Sequence, residues 1–170
     1  MDLNRALIDF DEGDKSQPYQ DELGIWTIAV GHNLKANGLP PGICADAPSG
    51  LPWPDCLGFL QRRGGLQPSE IDALYVFDLK ENCSWLWTKP WWAAVNEARQ
   101  AALNDMAFNL GPARAQAFVT FYGLCSVGDW PAAANDLEFK TAVAKQLPKR
   151  YGRLEQILRT GSAAGIIPGV

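Results

Sequence analysis

Apolar residues recur along this chain with two different periods. From Asp2 to Phe10, the side chains Leu3, Leu7 and Phe10 fall on one face at helical spacing, and Asp2 stands where it can cap the first turn; a short amphipathic helix is predicted. Between Gly13 and Asn33 the pattern changes. Gly13, Pro18 and Gly24 punctuate the stretch, and Trp26-Thr27-Ile28-Ala29-Val30 is β-prone, which predicts a hairpin or small meander turning near Glu22 to Gly24. Asn37 to Gly65 reads as an elaborated loop, with prolines at 40, 41, 48, 52 and 54 and glycines at 38, 42, 50, 58, 64 and 65. From Pro68 onward helical spacing returns. Ile71, Leu74, Tyr75, Asp78 and Leu79 follow an i, i+3, i+4 pattern. A second helix is predicted from about Ala93 to Leu110 and is stopped by Gly111-Pro112. Shorter helices are expected at 114–122, 129–137 and 148–160, the last closed by Gly161. The fold class is therefore α+β, mainly helical. One domain is expected over 1–170, with a small β-containing lobe at about 13–66 and a larger helical lobe at about 67–170 that includes the N-terminal helix 2–11.

Composition narrows the class. With 170 residues, 47% hydrophobic and 20% charged, the chain has the profile of a globular protein able to bury a core without metals or disulfides. No apolar run approaches the roughly 20 residues of a membrane span, and Met1 to Asp11 carries three acids and no long apolar stretch, so neither stable membrane insertion nor a secretory signal is expected. A net charge of −4 argues against nucleic acid as a partner. Its distribution is uneven. Residues 1–30 hold seven acids and two bases, whereas residues 140–159 hold six bases and the single acid Glu155; the two ends are either separate solvated faces or attract each other. The cysteines Cys44, Cys56, Cys83 and Cys125 include no CxxC pair, and His32 is the one histidine, which speaks against a structural zinc site. Cys44 and Cys56 flank the Pro- and Gly-rich stretch; they form a disulfide in an oxidising compartment or stay as free thiols in a reducing one.

The chemistry concentrates in Asp11 to His32, DEGDKSQPYQDELGIWTIAVGH. Glu12 stands at the end of the predicted first helix, Asp21 in the hairpin that follows, and Thr27 at the start of the next strand. Two carboxyl groups facing each other across a cleft are the minimum machinery of glycoside hydrolysis: one protonated, to donate to the leaving oxygen, and one ionised, to handle water or the sugar cation. By spacing alone the signal is weak, because a Glu and an Asp nine residues apart are common and read first as two solvated surface acids.

The run resembles the T4-type phage lysozymes, family 24 of the glycoside hydrolases. Their signature is a Glu, an Asp nine residues on and a Thr six further on, matched by Glu12, Asp21 and Thr27, with Gly13, Tyr19, Gly24, Ile28, Gly31 and His32 matching the surrounding frame. Leu103 to Gly111 (LNDMAFNLG) resembles the family's central helix and Pro148 to Gly161 its C-terminal helix, while Leu34 to Gly65 resembles the family least. The resemblance implies a two-lobed lysozyme-like fold and an N-acetylmuramidase that cuts the β-1,4 bond of bacterial peptidoglycan with inversion and without a cofactor or metal. It implies Glu12 as general acid, Asp21 as the residue that positions and deprotonates the attacking water or shields the sugar cation, and Thr27 as a holder of that water. Gly31, Phe108 and Asn109 match sugar-contacting positions, although Phe108 reads as well as a core aromatic. Arg150 matches an arginine paired with the catalytic Glu, and Arg153 one paired with the acid before it, Asp11. His32 matches a structural histidine paired with Asp78. The implied partner is peptidoglycan, acted on by a monomeric endolysin that is made in the host cytoplasm, passes a separate membrane pore and reaches the periplasm; a virion-associated lysin is the other setting.

The sequence also departs from that pattern. Ala29 stands where the family usually has glycine, the tryptophan often found upstream of position 148 is missing, and the calculated pI of about 4.9 is low for the family. Trp85, Trp87, Trp91 and Trp92 read either as packing or as sugar-stacking surface. The competing readings are a zinc amidase, a Cys/His peptidase using Cys44 and His32, a lytic transglycosylase that needs only Glu12, and a silent peptidoglycan-binding module.

Overall fold

The structure, a computed structural model, describes residues 2–21, 24–140 and 146–167. They form two compact units. One combines Met1–Asp11 with Glu81–Val170, and the other is Glu12–Lys80. The unit boundaries fall inside two helices, α1 (Leu3–Glu12) and α4 (Pro68–Trp87).

In the unit Glu12–Lys80, β1 (Lys15–Gln20), β2 (Trp26–Ala29) and β3 (His32–Asn33) make an antiparallel sheet in the order β1-β2-β3. Tyr19 stands opposite Thr27, Gln20 opposite Trp26 and Lys15 opposite Ala29, with a register irregularity between Lys15 and Tyr19. Pro18 lies in that irregular stretch, where a residue without an N–H cannot extend the ladder. The tip of the expected turn, Glu22 and Leu23, lies outside the described residues. A one-turn helix, α2 (Leu34–Asn37), follows β3, capped by the Asn33 side chain, which accepts from the Ala36 N–H at 2.9 Å. Ile28, Leu34, Leu39, Leu60 and Leu74 are among the buried apolar residues of this unit.

The stretch expected to be loop from Asn37 to Gly65 contains a nine-residue helix, α3 (Asp55–Arg63). Its charges suit a helix, with Asp55 in the first turn and Arg62 and Arg63 in the last, and Cys56 and Leu60 bury one narrow face at i, i+4 spacing. Gly64 and Gly65 then return the chain to the sheet. The Leu66 N–H donates to the Ser16 carbonyl at 2.8 Å, and a Cβ on Gly65 would lie 2.2 Å from that same oxygen, so only glycine fits there. Cys44 and Cys56 are not joined; all four cysteines are buried free thiols.

The other unit is helical. It contains α5 (Glu97–Leu110), α6 (Pro112–Ala115), α7 (Val119–Ser126), α8 (Trp130–Lys140) and α9 (Pro148–Thr160). α5 is buried on nearly every side: from Ala101 to Leu110 only Phe108 and Asn109 are half-exposed. A helix buried on all sides over this length has to be central. It starts at Glu97 rather than Ala93, because Trp92–Ala94 forms a 3-10 turn and the Asn96 side chain then caps the helix by accepting from the Arg99 N–H at 3.0 Å. The helix expected at 114–122 is divided into α6, begun by Pro112, and α7. α9 buries Tyr151, Leu154, Ile157 and Leu158 and packs against α8 and α5. Among the described residues no helix is long and apolar enough to cross a membrane.

Candidate active site

Glu12 is the last residue of α1, and its carboxylate lies beside the turn between β2 and β3. A Cβ on Gly31 would sit 3.0 Å from Glu12 Oε2 and 3.3 Å from its carboxyl carbon. Gly31 also carries a φ of +76°, so the position favours glycine both for its backbone and for the space the carboxylate takes. Asp21 closes the hairpin. Its Oδ1 accepts from the Ile25 N–H at 2.8 Å, and its own N–H donates to the Ile25 carbonyl at 3.0 Å. The first of these bonds fixes the half-buried side chain at the turn. Thr27 is buried, at 5% exposure, and its hydroxyl donates to the Ile25 carbonyl at 3.1 Å. Ala29, buried at the end of β2, carries a φ of +51°. That left-handed conformation costs a side-chain-bearing residue about 1–2 kcal/mol and gives a backbone reason for glycine at this place.

Tyr19, directly across the ladder from Thr27, is half-buried, and the Lys15 ammonium lies 3.8 Å from its ring centroid. Burial raises the pKa of the Tyr19 phenol above its ordinary value, and the charges of Glu12 and Asp21 raise it further. The phenol therefore stays protonated across the neutral range. Sequence reasoning noted Tyr19 only as part of a matching frame.

His32 is 3% exposed, and neither ring nitrogen is open to act as a base. Nδ1 lies 2.9 Å from both Asp78 carboxylate oxygens, and Nε2 lies 2.8 Å from the Gly38 carbonyl. Burial opposes its charge, but the hydrogen bond to Asp78, the Asp78 charge and the Gly38 carbonyl outweigh it and raise the imidazole pKa above 6.5. The Cys44 thiol is pushed up to about 11, chiefly by burial and then by Glu70. A protonated thiol and a doubly bonded imidazole do not make a nucleophile and base. Donor atoms of Cys44, Asp46 and Glu70 lie within 4.8 Å of one another, yet the Arg63 guanidinium sits among them. It donates to both Glu70 oxygens at 2.6 Å and to Cys44 Sγ at 3.2 Å, and lies 3.2 Å from Asp46. An organic cation already fills the place a metal would need.

The helical unit carries the other candidates. Arg153 donates to Asp11, which is nearly fully buried. Arg150, 7% exposed, donates to Asp105 through Nε at 3.0 Å and Nη2 at 2.7 Å, and its Nε lies 3.8 Å from Asp11. Asp105, fully buried on α5, was not anticipated, and its signal is a lone acid inside the apolar run LNDMAF. Burying a carboxylate requires a bonded countercharge, and the bidentate guanidinium supplies it. Phe108 and Asn109 are the half-exposed pair at the end of α5, so Phe108 is not a fully buried core aromatic.

The sequence model of the family described as phage lysozyme matches residues 10–153. The chain belongs to the phage lysozyme family. It is also 26% identical over 164 residues to a protein of Dictyostelium discoideum named probable T4-type lysozyme 2, covering 93% of this chain and 94% of that one. As a phage-lysozyme-family protein it is a mainly helical α+β protein of the lysozyme class, whose reaction is hydrolysis of bacterial peptidoglycan. The matched span contains Glu12, Asp21, Thr27, Gly31 and the half-exposed end of α5.

Proposed function

We propose that this protein is an N-acetylmuramidase that hydrolyses the β-1,4 bond between N-acetylmuramic acid and N-acetylglucosamine, and that it serves as a phage endolysin causing host lysis. Glu12 gives its proton to the glycosidic oxygen as the C1–O bond breaks. A water molecule attacks C1 from the opposite face, transfers one proton to Asp21 and leaves the anomeric centre inverted. Thr27 helps hold that water. Gly31, Phe108 and Asn109 contact the glycan, while Asp11, Arg150, Arg153, His32 and Asp78 support the site. The protein acts as a monomer on peptidoglycan in the periplasm after release from the host cytoplasm through a separate pore.

The observation that carries this reading is the position of the Glu12 carboxylate against Gly31, in the same compact unit as Asp21 and Thr27. The test compares wild type and Glu12→Gln on purified peptidoglycan, with new ends identified by mass spectrometry. Gln is nearly isosteric but carries no acid proton. The expected result is reducing muramic-acid ends from the wild type and a loss of about a hundredfold or more in the folded variant. Products ending in 1,6-anhydro rings would instead establish a transglycosylase, and no glycan cleavage by either protein would leave a binding module.

A further inference from the structure

The attacking water has two protons and two lone pairs to place. If the muramidase reading holds, one proton goes to Asp21 and one lone pair to the anomeric carbon. Thr27 is limited in what it adds. Its hydroxyl hydrogen is donated to the Ile25 carbonyl at 3.1 Å, so toward the water it offers an accepting lone pair and takes the second proton as a hydrogen bond. One lone pair of the water is then without a donor. In an inverting displacement that lone pair matters, because holding it fixes the direction in which the other one points.

The cross-strand register supplies a donor. Tyr19 is the residue directly opposite Thr27, and residues opposite each other in an antiparallel pair place their side chains side by side on one face. Its ring is held by the Lys15 ammonium on one face and by partial burial, while its hydroxyl makes no hydrogen bond to any described residue. Burial, together with the charges of Glu12 and Asp21, raises the phenol pKa and keeps it protonated. β2 carries no titratable side chain, and among the described residues Glu12 and Asp21 act on the Tyr19 phenol while the Lys15 ammonium lies over its ring.

We propose that Tyr19 is a further catalytic residue: its hydroxyl, across the ladder from Thr27, donates a hydrogen bond to the attacking water and directs the water's remaining lone pair at the anomeric carbon. The inference rests on the muramidase reading and adds a group to it. Lys15 is the positioning residue that holds the ring.

The experiment measures kcat, KM and thermal stability for wild type, Glu12→Gln and Tyr19→Phe on a defined glycan. Phe keeps the ring and its contact with Lys15 and removes only the donor. Tyr19→Phe is expected to lower kcat about tenfold, the effect of one lost hydrogen bond made in the transition state, with KM and melting temperature unchanged. If Glu12→Gln is inactive and Tyr19→Phe turns over like the wild type, the role of Tyr19 is overturned while the muramidase reading stands. A Tyr19→Phe protein that melts early, with kcat and KM both degraded, would make Tyr19 a structural residue and also overturn the proposal. An inactive wild type removes the muramidase reading and the water that Tyr19 is proposed to hold.

Discussion

At the residue scale, the pair His32–Asp78 shows how a titratable side chain beside the proposed catalytic segment is used for stability instead. The imidazole is buried and bonded at both nitrogens, so its protonated form satisfies two acceptors at once. Its pKa in the folded protein is raised above 6.5, the value it has when unfolded. Folding therefore favours the charged form. The stability this contributes is fully present below about pH 6.5 and is lost as pH rises through the higher folded value. Denaturant unfolding of the wild type at a series of pH values is expected to show stability falling on the alkaline side of 6.5. Asp78→Asn should cost about 3–5 kcal/mol at pH 6 and flatten that decline, because it strands a buried charge or forces it neutral. Parallel pH curves for the two proteins would refute the assignment. Part of this was legible in the sequence. The spacing from Glu12 through Asp21 and Thr27 to His32 singled out the segment, and the resemblance paired His32 with Asp78. The second partner, the Gly38 carbonyl, was not legible, because it depends on how the chain turns after α2. Asp105 was hidden for a different reason: a single acid on a helix reads as solvent-facing until the all-round burial of α5 is known.

At the element scale, caps decided which boundaries could be read. α1 and α9 carry both an apolar face and end signals. Asp2 accepts from the Asn4 N–H at 3.0 Å, and Gly161 closes α9 by donating to the Ile157 carbonyl at 2.8 Å. α3 shows only two buried apolar side chains, Cys56 and Leu60, and Pro52, Pro54 and Gly58 mask its period, so the loop expectation failed there. The start of α5 was misplaced by four residues because the Trp-rich segment before it is apolar yet forms a 3-10 turn. Asn96 is the residue that sets the true start. Its Oδ1 caps α5, and its Nδ2 donates to the Gly161 carbonyl at 2.9 Å, joining the beginning of α5 to the end of α9. Arg99 reinforces the same junction by donating to the Leu158 carbonyl at 2.8 Å. Asn96→Ala removes the cap and this bond together and is expected to lower stability by about 1–2 kcal/mol. Thermal melts check it, and Asn96→Asp separates the two functions. Asp restores the cap but not the donor, so it should recover only part of the loss.

At the scale of the whole molecule, the question is how a protein with a net charge of −4 works on an anionic wall. The basic residues near the C-terminus look at first like a docking face. Several are already committed: Arg150 to Asp105 and Asp11, Arg153 to Asp11, and Arg159 to Glu155 at 2.8 Å. The acidic beginning and basic end of the sequence thus meet at Asp11, and the positive charge is spent on holding the helical unit together. Lys145 lies outside the described residues. Because each of these pairs is neutral, the net charge of −4 is left on the rest of the molecule. An acidic enzyme approaching an acidic polymer is slowed by repulsion, and salt relieves it. Between about 10 and 100 mM salt the screening length falls from roughly 30 Å to roughly 10 Å. The rate of clearing of isolated cell-wall sacculi should therefore rise several-fold across that range, with the change in kcat/KM rather than kcat. On a short uncharged glycan the same salt series should be flat. A basic binding face would give the opposite slope on sacculi, so a rate that falls with salt would mean that the committed arginines are released to the substrate.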